Sequence, residues 1–200
     1  MSKRLEILRI REALDSNNEE SQKNAAKFVI SRMRSGENLS VLFPSMLRCL
    51  RTRDLELKKL TYLYVISCAK YQPEHSIMAV SAFLMDAADS SPVVRGLAIR
   101  SMSRIRVETV AEHFVIPVKT ALNDTEPYVR KTAALAVAKL HSIVKEIVEG
   151  AGLIDELKKL LSDSNPLVIA NAAAALVEIS PSFVVDKEAA TAILSATTQA

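Results

Sequence analysis

The chain is 200 residues long with 49% hydrophobic and 24% charged residues, enough apolar material to bury a core and too much for a disordered tail. Its 26 basic and 23 acidic residues leave a net charge of only +3, so bulk charge gives no support for nucleic-acid binding, and any anion site must be a local patch. Aromatic residues are scarce at 4%, Trp is absent and Gly numbers 4, a composition that favours packed helices over sheets.

Taken in chain order, the apolar periodicity predicts helices over 3–14, 20–34, 39–51, 55–70, 74–87 and 92–104. Further helices are expected over 109–122, 127–140, 153–161, 166–179 and 187–195. The opening "MSKRLEILRIREALD" alternates charged and apolar residues and reads as neither a signal peptide nor a membrane span. Cys49 and Cys68 fall inside apolar helical patterns without a CxxC partner, so buried free thiols are expected rather than a disulfide or metal pair.

From Asp89 onward the sequence begins to repeat itself. Asp89 is followed by "SSPVVRGLAIRSM", Asp124 by "TEPYVRKTAALAV" and Asp163 by "SNPLVIANAAAAL". Aligning the copies brings Pro92, Pro127 and Pro166 into register. A period of about 35–40 residues with paired helices is the mark of a helical solenoid of the HEAT or armadillo kind. The expected fold is therefore all-α, a right-handed α–α superhelix of antiparallel helix pairs, with residues 1–200 forming one solenoid segment. Each proline suits a first helical position, where its missing N–H has no intrahelical partner anyway. Ser91 and Asn165 are natural N-caps and Glu126 is a weaker one. Arg95 and Arg130 stand six residues after Asp89 and Asp124, where charges can form a ladder between repeats, while the third copy has Ile169 at that place. Such pairs are expected to be partly exposed and worth roughly 0–1 kcal/mol each.

Chemistry is thinly represented. The sequence holds no GxxxxGK[ST], GxGxxG, GxSxG or HExxH. His75, His113 and His141 are scattered over different repeats and make no i, i+4 ligand pair. No enzyme activity, cofactor or metal is expected. Two features stand out instead. The turn "RCLRTRDLELKK" crowds Arg48, Arg51, Arg53, Lys58 and Lys59 around one connection, a set of candidate contacts for an anionic surface, partly offset by Asp54 and Glu56. The helix "EHSIMAVSAFLM" places Ile77, Val80, Ser81 and Leu84 on one stripe and Met78, Phe83 and Met85 on other faces, more apolar circumference than one buried side requires.

"LELKKLTYLYV" (55–65), "QPEHSIMAVSAF" (72–83), "VRGLAIRSMSRIRV" (94–107), "PYVRKTAALAVAKLH" (127–141) and "LLSDSNPLVIANAAAALVEIS" (160–180) resemble the trunk of a β-adaptin, the β-type large subunit of clathrin adaptor complexes. The resemblance is collinear over about 17–182. It implies the N-terminal piece of a longer, non-enzymatic scaffold in vesicle-mediated protein transport. The implied partners are a second large, a medium and a small subunit, an Arf-family GTPase, and clathrin through later regions. The implied location is the cytoplasmic, peripheral face of Golgi, endosomal or plasma-membrane coated vesicles. It also places an Arf contact on Ile77 and Val80. Other scaffolds of the same architecture, such as a coatomer subunit or a nuclear transport factor, are the alternative. One departure matters: where many of the family carry a lysine-rich turn, this chain reads "NNEESQKNAAK", leaving Lys23 and Lys27. Recruitment through the GTPase is therefore favoured over a lipid site at that turn. If further repeats follow, the apolar residues around 188–196 are expected to be exposed, with fraying or self-association there.

Overall fold

A computed structural model describes residues 3–69, 71–187, 190, 191, 193 and 194, and these form helices joined by turns, with no strand among them. They fall into two compact units, Met1–Ala82 and Phe83–Ala200. The first holds α1 (Lys3–Leu14), α2 (Glu19–Arg34), α3 (Phe43–Arg48), α4 (Leu55–Ala69) and α5 (Pro73–Ile77); α6 (Val80–Ala87) begins there. The second continues with α7 (Pro92–Met102), α8 (Glu108–Ala111), α9 (Val115–Leu122), α10 (Pro127–Gly150), α11 (Leu153–Lys159) and α12 (Pro166–Ile179). The helix expected over 187–195, and with it the apolar end around 188–196, falls partly outside the described residues.

In the first unit α2 packs on α1 and α4, and α4 also receives α3 and α5. The core between them is closed by Phe43, Met46, Leu57, Tyr62 and Tyr64, all essentially inaccessible. Tyr64 satisfies its hydroxyl by donating to the Leu39 carbonyl at 2.8 Å. Both thiols are free and buried. Burial pushes the Cys49 thiol up to about 11, with the neighbouring Asp15 charge adding to it, and burial raises Cys68 as well, so neither position has the character of a reactive cysteine.

The segment expected as one helix over 39–51 is instead a short α3 between two 3₁₀ turns, Ser40–Leu42 and Cys49–Arg51. Pro44, with no N–H to give to the Ser40 carbonyl, explains the tight first turn. Pro117 has the same effect on 109–122, which divides into α8, a 3₁₀ turn at Glu112–Phe114 and α9. The break between α5 and α6 has no such cause. Met78 and Ala79 close it with N–H bonds to the His75 and Ser76 carbonyls, and no proline or glycine stands there. By contrast α10 passes its expected end at 140 and joins, across a break, a second helical stretch that ends at Gly150, with Val144 and Val148 buried. It kinks at Val144, where φ is −129° and ψ 54°. The turn into α11 uses Gly152 at φ +73°, a left-handed conformation that glycine adopts without strain.

The second unit stacks its helices in series. α10 lies against α7 on one side and α12 on the other, with α9 and α11 behind. Phe83 meets Phe114 edge-on with ring centroids 5.8 Å apart. Pro92, Pro127 and Pro166 do open α7, α10 and α12. The expected caps are borne out at one place and not at another. Ser91 makes no side-chain cap, whereas Asn165 accepts from the Leu167 N–H at 2.9 Å. What recurs in all three copies is the aspartate three residues before the proline. Asp89, Asp124 and Asp163 accept the N–H two residues on, at 2.7, 2.9 and 2.8 Å respectively.

Those aspartates are joined by the arginines, in a pattern more buried than expected. Arg95 reaches forward to Asp124, with Nε and Nη2 donating to the two carboxylate oxygens at 2.7 and 2.8 Å. Its Nη1 turns back to the carbonyls of Asp89 and Ser90 at 2.9 and 3.0 Å. Arg130 repeats this one copy later: Nε and Nη2 donate to Asp163 at 2.7 and 2.9 Å, and Nη1 to the carbonyls of Asp124 and Thr125. The side chains are only 6–15% exposed, so removing one partner strands a largely desolvated charge and costs more than breaking a surface pair, whose value is roughly 0–1 kcal/mol. Ile169, buried at the third place, ends the ladder.

Asp124 is held below the ordinary carboxylate range chiefly by Arg95. For Asp163 burial pushes upward, but the Arg130 bond and the Asn165 N–H outweigh it and the net direction is again down. A carboxylate depressed in the folded state contributes stability that is complete above its unfolded value and is lost as pH falls through the folded one. Urea denaturation should therefore show stability falling between about pH 5 and 2. Arg130→Met should cost about 3 kcal/mol at pH 7 and flatten that fall. An unchanged pH slope in the variant would contradict the ladder's role.

Candidate functional site

The connection between α3 and α4 sorts its charges into two sets. Asp54 caps α4 by accepting the Leu57 N–H at 2.8 Å and receives the Lys23 ammonium at 2.8 Å. Glu56 takes Lys27 at 2.8 Å and Lys23 at 3.6 Å. Lys23, first through Asp54, has its value raised, and Asp54, first through Lys23, has its value lowered. The two lysines of the α2 turn are thus committed to this unit's own carboxylates. Glu19, Glu20 and the Asn18 cap, which accepts the Ser21 N–H at 3.0 Å, occupy the rest of that turn.

The five cations singled out in the sequence do not act alike. Arg48 is exposed but gripped by Asp15, Nη2 to Oδ1 at 2.6 Å and Nε at 3.2 Å, with Ser45 Oγ beside it. Lys58 lies inside, 4% exposed, and donates to the Leu50 carbonyl at 2.8 Å. A buried ammonium is not a surface contact. Arg51, Arg53 and Lys59 are exposed and pair with no carboxylate among the described residues. Because Asp54 and Glu56 are drawn to Lys23 and Lys27, the offset expected from them is reduced, and three unpaired cations remain, Arg51 and Arg53 at the connection and Lys59 in the first turns of α4.

The second feature is the α5–α6 turn. Ser76 and Ala79 are fully buried, small residues that let the turn approach the core. The bulkier Ile77 and Met78 are turned outward, 49% and 50% exposed, and Val80 is half-buried. The break at 78–79 removes the continuous stripe that a single helix over 74–87 would present, yet it leaves Ile77 and Met78 side by side at the surface. This turn is also loosely tied. Gln72 makes no side-chain cap on α5, and Gln72 Oε1, His75 Nδ1 and Ser76 Oγ are buried without hydrogen-bond partners. The His75 ring lies tilted against Phe43, centroids 5.1 Å apart. Sequence reasoning missed this inversion of size and burial, because periodicity ranks residues by polarity and not by volume.

A cleft of about 490 Å³ lies between the end of α2 and the end of α4, lined by Ile30, Met33, Leu39, Leu63, Cys68 and Gln72 among others. Arg34 and Glu37 are its charged residues, and they do not form a proton-transfer pair with a third group. Among the described residues no cluster of three His, Cys, Asp or Glu is placed to hold a metal ion, and no helix is long and apolar enough to cross a membrane.

Comparison with known proteins gives these surfaces a context. A family model described as the adaptin N-terminal region matches residues 2–199. The AP-1 complex subunit beta-1 of Homo sapiens is 49% identical over 181 residues, which cover 90% of this chain and 19% of that protein. Among structures, a homology model of the full-length AP-3 complex in an intermediate open conformation aligns with a TM-score of 0.67 at 25% identity, over 88% of this chain and 29% of that one. A designed armadillo repeat protein aligns with a TM-score of 0.63 at 22% identity, over 95% of this chain and 87% of its own. The last likeness carries the fold alone, a helical-repeat solenoid. This chain spans about a fifth of the length of the curated relatives it matches.

The burial difference between neighbouring lysines is directly testable. Lys58→Met should lower the unfolding free energy by about 1–3 kcal/mol through the orphaned Leu50 carbonyl, while Lys59→Met should stay within about 0.5 kcal/mol. Equal effects in urea denaturation would contradict the buried placement of Lys58.

Proposed function

The chain belongs to the adaptin N-terminal family, and on that premise we propose that it is the first part of the trunk of a β-type large subunit, a non-enzymatic scaffold of a clathrin-associated adaptor complex in vesicle-mediated protein transport. Residues 1–200 act as one solenoid segment of that longer trunk. The observation that carries this reading is the 49% identity to an AP-1 β subunit across nine-tenths of the chain. Its partners are the second large, the medium and the small subunits, with clathrin engaged through regions outside this sequence. The complex works from the cytoplasmic side, peripherally, on Golgi, endosomal or plasma-membrane coated vesicles.

Recruitment proceeds through a GTP-loaded Arf GTPase that contacts Ile77 and Val80. What supports this is the outward placement of Ile77 with Met78 on a loosely tied turn, the kind of apolar surface that a scaffold leaves for a partner. Arg51, Arg53 and Lys59 assist at the anionic membrane surface, each worth about 1 kcal/mol when close to it. Arg48 and Lys58 belong to the same turn but are engaged by Asp15 and by the Leu50 carbonyl. The commitment of Lys23 and Lys27 to Asp54 and Glu56 favours the GTPase over direct lipid capture at the α2 turn.

Calorimetric titration of this chain with an Arf GTPase should show binding to the GTP-locked form and none to the GDP form. Ile77→Asp and Val80→Asp should each weaken it at least about tenfold, roughly 1.4 kcal/mol, in variants whose circular dichroism is unchanged. Binding that ignores the nucleotide, or that survives both substitutions, would contradict the recruitment site.

A further inference from the structure

Counted from the proline that opens each helix, Arg104, Lys139 and Glu178 hold the same place, twelve residues on. Since α10 packs on α7 and on α12, this place forms a row across the second unit. Arg100 stands in the last turn of α7, Arg104 just past its end, and Arg106 two residues further on. The buried Ile99, Met102 and Ile105 between them turn all three guanidiniums outward. Lys139 is half-buried beside them.

This crowding is unlike the rest of the unit. Arg95 and Arg130 are each clamped to a carboxylate, whereas Arg100, Arg104, Arg106 and Lys139 form no ion pair among the described residues. The Lys139 ammonium is pushed below the ordinary lysine range, first by burial and then by Arg100, Arg104 and Arg106, with the exposed Glu178 alone opposing. Four like charges gathered where the end of α7 meets α10 destabilise the fold, and an incoming anion removes that repulsion. Leu135, one turn before Lys139 on α10, is 36% exposed and offers an apolar contact beside the charges.

We propose that this face of α7 and α10, formed by Arg100, Arg104, Arg106, Lys139 and Leu135, docks an acidic polypeptide segment. Three features select a peptide over a membrane. Lys139 is half-buried while the three arginines are exposed, a stepped surface that an extended chain follows more closely than a flat bilayer. Glu178 fences the row at α12 and confines the anion to the α7 side. Neighbouring helices lie about 8–10 Å apart, which a chain in the polyproline-II conformation, with three residues per turn and about 3.1 Å per residue, spans in one turn, so carboxylates three apart share a face and can meet Arg104 and Lys139 together. The proposal stands independently of the adaptor reading.

The test is fluorescence anisotropy of this chain with a labelled dodecapeptide carrying Glu at every third position and a central Leu, beside a counterpart with each Glu replaced by Gln. The Glu peptide should bind at least about tenfold more tightly than the Gln peptide, with affinity falling as salt rises. Arg104→Glu and Lys139→Glu should each abolish that preference, and Arg51→Glu in the first unit should not. Lys139→Glu should also raise Tm, because it relieves the repulsion. Equal binding of the two peptides, or a preference that persists in the exposed Arg104→Glu variant, would overturn the proposal. So would capture by phosphatidylserine vesicles without capture of the peptide, or a Lys139→Glu variant with lower Tm and undiminished binding.

Discussion

In the second unit the order of the repeats rests on one device, an arginine that belongs to two copies at once. Its Nη1 closes the carbonyls of its own turn, and its Nε and Nη2 hold the aspartate of the next. The same aspartate fixes its own turn by accepting the N–H that precedes the proline. Each turn is therefore built by a group that also registers it against its neighbour. Because both partners are largely withdrawn from water, removing one leaves the other uncompensated, and the stacking of α7, α10 and α12 depends on the pair. The bidentate geometry fixes the offset.

Charge is used differently in the first unit. Lys23 and Lys27 hold Asp54 and Glu56, Arg48 holds Asp15, and Lys58 lies beneath the surface on a carbonyl. The residues left over at the α3–α4 turn are Arg51, Arg53 and Lys59. A similar remainder exists in the second unit, where the clamps use Arg95 and Arg130 but leave Arg100, Arg104, Arg106 and Lys139 without carboxylates among the described residues. In both units these cations are what the scaffold's own ion pairs do not consume. The α5–α6 turn follows the same rule for apolar groups, with Ser76 and Ala79 filling the core and Ile77 and Met78 left outside.

The repeat was legible because Pro92, Pro127 and Pro166 mark helix starts by a local rule that tertiary contacts do not override. The Asp–Arg spacing pointed to a ladder, although sequence could not tell that Arg95 pairs with Asp124 and only caps the carbonyl of Asp89. The resemblance in 55–65, 72–83, 94–107, 127–141 and 160–180 identified the family, which the match over 2–199 bears out. Internal punctuation was harder to read. Pro44 and Pro117 split expected helices, and the helix expected to end at 140 runs on to Gly150 across a break at Val144. The α5–α6 break has no local signal at all. The fate of each cation at 48–59 was equally hidden, since it depends on Asp15 and Lys23, far away in sequence.

Strong polar clamps hold the stacked repeats, while the α5–α6 turn, with Gln72 Oε1, His75 Nδ1 and Ser76 Oγ lacking hydrogen-bond partners, is left weakly tied. Native-state hydrogen exchange tests this contrast most directly, residue by residue, in the absence of any partner. Amides of 75–80 should open with a free energy several kcal/mol below those of 129–140, which should open only with global unfolding of their unit. Protection at 75–80 equal to that of α10 would contradict it.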